Sequence, residues 1–99
     1  MIVVRNIFQL KFGQARPAVA AFKEGREVAK RLGFTGGFRI LTDLVGTSYT
    51  LVLENQYGSL GAFEQELKTL LGKAEWREWY EKFIPYCESG SREIYTVVD

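Results

Sequence analysis

A chain of 99 residues with 46% apolar and 25% charged side chains has the make-up of one globular domain, residues 1–99, whose folding buries roughly 60 to 70% of its extended-chain surface. No apolar run approaches the roughly 20 residues that span a bilayer, and the N-terminus lacks the charged-then-apolar pattern of a signal peptide. The expectation is a soluble cytoplasmic protein without a membrane partner. The formal charge of +1 divides unevenly, basic in the first half and acidic in the second, and the lone Cys87 can make neither an internal disulfide nor a thiolate metal site by itself.

The first predicted strand runs from Ile2 to Phe12 and ends at Gly13. Period-two alternation sets Ile2, Val4, Phe8, Leu10 and Phe12 on one face, with Asn6 interrupting the row, and Val3 and Ile7 on the other. A helix follows with Pro17 in its first turn, with Ala18, Ala21, Phe22, Val28, Ala29 and Leu32 facing inward and Gly33 as its stop. Gly25 inside this helix costs about 1 kcal/mol relative to Ala, which points to close approach by a neighbouring element or a ligand, with packing the favoured reason. Gly36 and Gly37 open a second strand carrying Phe38, Ile40 and Leu44 on one face and Arg39, Leu41, Asp43 and Val45 on the other. Gly46-Thr47 turns it into a third strand, Ser48 to Asn55, forming a hairpin.

Ser59 caps a broken helical region. Its first piece has the apolar stripe Leu60, Phe63, Leu67, Leu70 and Leu71; Gly72 interrupts it, and a second piece starts near Ala74 and ends before or at Pro85. Trp76, Trp79, Tyr80, Phe83 and Ile84 recur there at helical spacing. The polar side mixes Glu75, Glu78 and Glu81 with Arg77 and Lys82, so core packing is expected rather than a membrane-surface helix. The last strand, Arg92 to Val98, returns to the sheet edge. The basic first helix, with Arg16, Lys23, Arg26, Lys30 and Arg31, and the acidic second region should complement each other as neighbours on one sheet face.

Strand-helix-strand twice, with the inner strands joined by a hairpin, is a ferredoxin-like βαββαβ arrangement, an α+β fold with a four-stranded antiparallel sheet. Two helices cover only one face of such a sheet. The other leaves Val3, Ile7, Leu41, Val45, Val52 and Val97 partly wet, and a second copy of the chain is the simplest cover. Arg5 to Gly13, the hairpin, Ser59-Leu60, and Glu75-Trp76 leading into Trp79-Tyr80 and Pro85 resemble the NIPSNAP-type and antibiotic-monooxygenase-type dimeric α/β barrels over nearly the whole chain. The resemblance implies that two sheets pack face to face and that enzymes of the superfamily place ligands between each subunit's sheet and helices. Its NIPSNAP-like branch has no settled chemistry to transfer.

Without histidine the chain has no imidazole for haem, zinc or proton transfer near neutral pH, and no histidine-based triad. No nucleophile elbow, phosphate cradle or acidic cluster with cation-ligand spacing stands in for it, so no metal and no cofactor are expected. RNA-recognition domains share the topology, but they stack bases on exposed aromatics where this chain has Val3, and the third strand carries Glu54 where phosphate would be repelled. Nucleic acid is not an expected partner. Two constellations remain. One face carries Val3, Arg5, Ile7, Arg39, Leu41, Asp43, Val52, Glu54, Glu93, Tyr95 and Val97, read as an ion-paired homodimer interface, with a polar ligand site in the barrel as the alternative. Between sheet and helices, Asn6, Phe22, Phe38, Tyr49, Trp76 and Tyr80 are placed to wall a small aromatic pocket. Three functions follow: a homodimeric NIPSNAP-like domain binding a small apolar or aromatic molecule, a cofactor-independent monooxygenase or isomerase acting on a flat quinone-like or acidic substrate, and a non-enzymatic interaction module whose core is filled without a cavity.

Overall fold

Alternating apolar residues and two amphipathic helical regions produce, in order, β1 (Ile2–Leu10), α1 (Ala15–Arg31), β2 (Arg39–Thr42), β3 (Thr50–Tyr57), α2 (Leu60–Leu71), α3 (Ala74–Phe83), a single 3-10 turn (Ile84–Tyr86) and β4 (Cys87–Thr96). This computed structural model describes residues 1–34 and 38–99; the expected opening of the second strand at Gly36 and Gly37 lies outside them. The strands form one antiparallel sheet in the order β2-β3-β1-β4, the ferredoxin-like α+β arrangement with β4 at an edge. No helix among the described residues is long and apolar enough to cross a membrane.

Local chemistry sets the helix ends. Gly33, at φ 94°, donates its N–H to the Lys30 carbonyl and Phe34 donates to Ala29, both at 3.0 Å, which closes α1 in a Schellman turn. The Ser59 hydroxyl accepts from the Ala62 N–H at 3.1 Å and starts α2. Between β1, β3 and the helices lies the core of Leu10, Ala18, Phe22, Val28, Leu51, Leu53, Trp79 and Phe83. Each large side chain buried here contributes roughly 1.5 to 3 kcal/mol by leaving water. Gly25 admits the indole of Trp79, whose Nε1–H donates to the Ala21 carbonyl at 2.7 Å; a Cβ on Gly25 would stand 2.5 Å from Trp79 Cζ2. Helix α3 thus lies in a notch of α1, and the ion pair Arg31–Glu75 joins the same two helices.

Several boundaries differ from the sequence reading, each for a local reason. β1 stops at Leu10, and Phe12 is exposed with its ring 4.8 Å from that of Tyr49. β2 stops at Thr42. Asp43 turns out of the strand and its carboxylate accepts from the Thr50 N–H, while Leu44 and Val45 stand on an exposed loop. The hairpin is therefore wider than a Gly46-Thr47 turn, and β3 starts at Thr50 and continues to Tyr57. β4 starts at Cys87 and ends at Thr96, so Val97 lies just past it, its N–H donating to the Met1 carbonyl at 3.0 Å. Leu60 and Leu71, placed on the apolar stripe of α2, are about half exposed at 54% and 53%, while Phe63 of the same stripe is buried.

Candidate functional site

The alternation of β1 and the stagger between α2 and α3 leave a cavity of roughly 430 Å³ between sheet and helices, within the range of small-molecule sites. Its floor is Asn6 and Phe8 of β1, Leu53, Asn55 and Tyr57 of β3, and Arg92 of β4. α1 contributes Phe22, Arg26, Ala29 and Lys30; α2 contributes Phe63, Glu66, Leu67, Leu70 and Leu71; α3 contributes Trp76, Trp79 and Tyr80; Phe34 and Phe38 complete the wall. Asn6, Phe22, Phe38, Trp76 and Tyr80, expected together from the sequence, all face this space. Tyr49 does not. Its φ of 60° is a left-handed turn that breaks the strand alternation, and it lines a separate shallow groove with Ala15, Val19 and Asp43.

The two ends of the cavity differ in chemistry. At the β4 end the Asn6 side-chain oxygen accepts from Arg92 Nε at 2.7 Å, and the Arg92 guanidinium lies 5.1 Å from the Phe63 ring centroid. The Tyr57 ring lies 5.3 Å from Phe63. Burial pushes the Tyr57 phenol well above its ordinary range, its hydrogen bond to Glu66 and the charge of that carboxylate add to the shift, and Arg92 opposes it. At the β2 end Arg26 Nη2 donates to the Phe38 carbonyl at 3.2 Å with its guanidinium 5.3 Å from the Phe38 ring centroid. Arg26 Nε is buried and meets no acceptor among the described residues. Arg26, Arg92, Tyr57 and Glu66 were not placed at this site by the sequence reading, which named Arg26 as part of the basic first helix and Arg92 as the start of the last strand. The helical spacing Phe22-Arg26 and the register Asn6↔Arg92 are the signals that place the two arginines.

The opposite sheet face carries a row of alternating charge across all four strands: Arg39, Glu54, Arg5 and Glu93 in the pairing Arg39↔Glu54, Arg5↔Glu54 and Arg5↔Glu93. Glu54 is only 8% exposed, bridged by Arg39 and by Arg5 Nε at 2.9 Å. The hydrogen bond from Arg39, followed by that from Arg5, holds its carboxyl below the usual range against the opposing effect of burial. Tyr95 donates to Glu93 at 2.7 Å and accepts the Arg5 guanidinium over its ring at 5.4 Å. Val52, Ile7 and Leu41 flank the row, with Val3 on its other side. Asp43 and Val45, assigned to this face from the sequence, lie off the sheet on the β2–β3 loop. Among the described residues no three His, Cys, Asp or Glu side chains gather to hold a metal ion.

A NIPSNAP domain protein from Burkholderia xenovorans superposes with a TM-score of 0.85 at 15% identity, over 99% of this chain and 95% of its own. A NIPSNAP family protein from Agrobacterium tumefaciens gives 0.87 at 19% identity over 99% and 86%. The chain has the NIPSNAP-domain fold. A Nitrosomonas europaea protein proposed to be an antibiotic biosynthesis monooxygenase shares this fold more distantly, with a TM-score of 0.74 and 17% identity over the whole of both chains. No protein-family model and no curated protein sequence matches the chain.

Proposed function

We propose that this chain is a homodimeric NIPSNAP-like domain that binds a small apolar or aromatic molecule between its sheet and helices. The observation that carries the reading is the roughly 430 Å³ space walled by Phe22, Phe38, Trp76, Trp79 and Tyr80, with polar groups confined to its ends. A pure interaction module would fill that space with its own side chains. Dimerisation through the outer face is supported by the charge row. Read across the sheet it runs plus, minus, plus, minus, so a two-fold axis that reverses it sets each charge against its opposite.

Native mass spectrometry of the purified chain, compared with its denatured mass, tests both parts. A dimer with a reproducible small adduct supports the reading and gives the ligand's mass; a monomer removes the interface. The fold shared with the Nitrosomonas protein, and the position of Asn6, Trp76 and Tyr80 around one space, favour a second reading, a cofactor-independent monooxygenase or isomerase acting on a flat quinone-like or acidic substrate. Oxygen uptake with a panel of hydroquinones supports it, and no uptake at saturating substrate counts against it.

A further inference from the structure

Resting on that reading of the cavity, we propose that its ligand is an aromatic monoacid, with the carboxylate held by Arg26 and the ring between Phe22, Phe38 and Trp76. The arginines on the sheet already have partners, since Arg5 and Arg39 share Glu54 and Arg92 donates to Asn6 with Glu66 lining the same end of the cavity, and on α1 Arg31 pairs with Glu75. Lys30 lies by Glu27 at 3.5 Å. Arg26 has no carboxylate partner among the described residues, and its one hydrogen bond, to the Phe38 carbonyl, leaves the buried Nε–H unmet.

A buried cationic donor without an acceptor is unfavourable, and a guanidinium that turns its Nε edge into the cavity presents half of the fork that clasps a carboxylate. With Lys30 set beside Glu27, the lining still holds Arg26 and Arg92 against Glu66 alone, so its charge balance also calls for one anion. A single charge suits the site better than a phosphate dianion, because Lys30, the next cation along α1, is largely exposed and already lies by Glu27, which leaves Arg26 alone to meet a desolvated charge. The apolar stretch between Arg26 and the paired Arg92 end takes the ring.

Calorimetric titration of the full chain with 2-naphthoate, ionised at about pH 7, and with its neutral isostere 2-naphthamide tests the assignment. The acid is expected to bind at least about tenfold more tightly. Arg26→Met should abolish the preference, while Arg26→Lys should keep part of it and Arg92→Met most of it, with folding of each variant checked by its thermal transition. Equal binding of acid and amide by the native chain overturns the anion assignment and leaves the pocket reading standing. Binding of neither probe overturns both.

Discussion

Replacing Gly25 by Ala separates two physical effects of opposite sign. In an exposed helix the change stabilises by about 1 kcal/mol, because Ala gives up less backbone entropy. Here the new Cβ would stand 2.5, 2.6 and 2.9 Å from three carbons of the Trp79 ring. That ring cannot slide away freely: Trp79 is 5% exposed, its Nε1–H is tied to the Ala21 carbonyl, and it stacks on Phe83 with planes 11° apart. Overpacking at such a site costs roughly 1 to 3 kcal/mol, which outweighs or at least cancels that gain, so Gly25→Ala should lose up to roughly 2 kcal/mol net. For a domain of this size each kcal/mol lowers Tm by about 4 to 8 °C. Urea unfolding at fixed protein concentration measures it directly. Gly61→Ala, at an exposed helical position whose Cβ meets only the Ser59 hydroxyl at 3.8 Å, serves as the control and should be neutral or slightly stabilising. In the double variant Gly25→Ala/Trp79→Phe the smaller ring makes room for the methyl group, so the two losses should sum to more than the double variant shows. A higher urea midpoint for Gly25→Ala with unchanged slope would refute the argument that the glycine exists to admit the indole.

Val52→Lys sets an ammonium between Ile7 and Leu41 on the outer sheet face and should yield monomers or aggregates by size exclusion; an unchanged dimer refutes the face assignment. Glu54→Gln should lose about 1 kcal/mol or less at neutral pH, since Arg39 is largely exposed and Arg5 nearly half exposed, so solvent screens both pairs. Because the folded Glu54 carboxyl sits below its ordinary value of 4.5, its contribution is present above that pH and fades as pH falls through the folded value. The gap between native and variant should close in acid, and a gap constant from neutral to about pH 3 contradicts the ion-pair account. Tyr57→Phe should lose about 1 kcal/mol at pH 8 through the missing bond to Glu66. The Tyr57 phenol stays protonated in the fold while the unfolded chain ionises near 10, so the native chain loses stability above about pH 10 and the difference should shrink. Urea midpoints at both pH values decide it.

The inner aromatic wall was legible because it follows simple periods. Phe22 and Trp76 fall on helical stripes, while Asn6 takes its place from strand alternation. Arg92 was read as the first residue of the last strand, and its neighbours concealed how far the strand runs before it, which fixes its register opposite Asn6. Glu88-Ser89-Gly90-Ser91 has loop composition, yet it forms the start of β4, where Gly90 pairs with Phe8 and a Cβ would stand 3.2 Å from the Phe8 ring. The glycine there reflects close approach by an aromatic ring, and a turn-forming residue gives the same letter. Tyr57 was missed for a related reason, since Asn55 looks like a strand end but β3 carries on past it in register with Ile2. Tyr49 failed in the other direction: nothing in its residue type announces a left-handed backbone at the mouth of a strand.

The cavity itself follows from the break in the second helical region, and the break has a different agent from the one its sequence suggests. Gly72 adopts an ordinary right-handed helical conformation, and a Cβ there would meet only carbonyl oxygens at 3.4 and 3.5 Å. Lys73 is the residue that turns extended, at φ −94° and ψ 121°, and Arg77 reaches back to the Leu71 carbonyl at 2.8 Å to fix the corner. A continuous helix from Leu60 to Phe83 would be ~36 Å long, beyond the ~30 Å of β1. The corner instead frees α3 to seat Trp79 in the Gly25 notch of α1, while α2 stays over β3 with Phe63 against Tyr57. Leu67, Leu70 and Trp76 are then left facing one another across unfilled space. The same contact that makes Gly25 indispensable to packing therefore holds open the wall on which Arg26 stands.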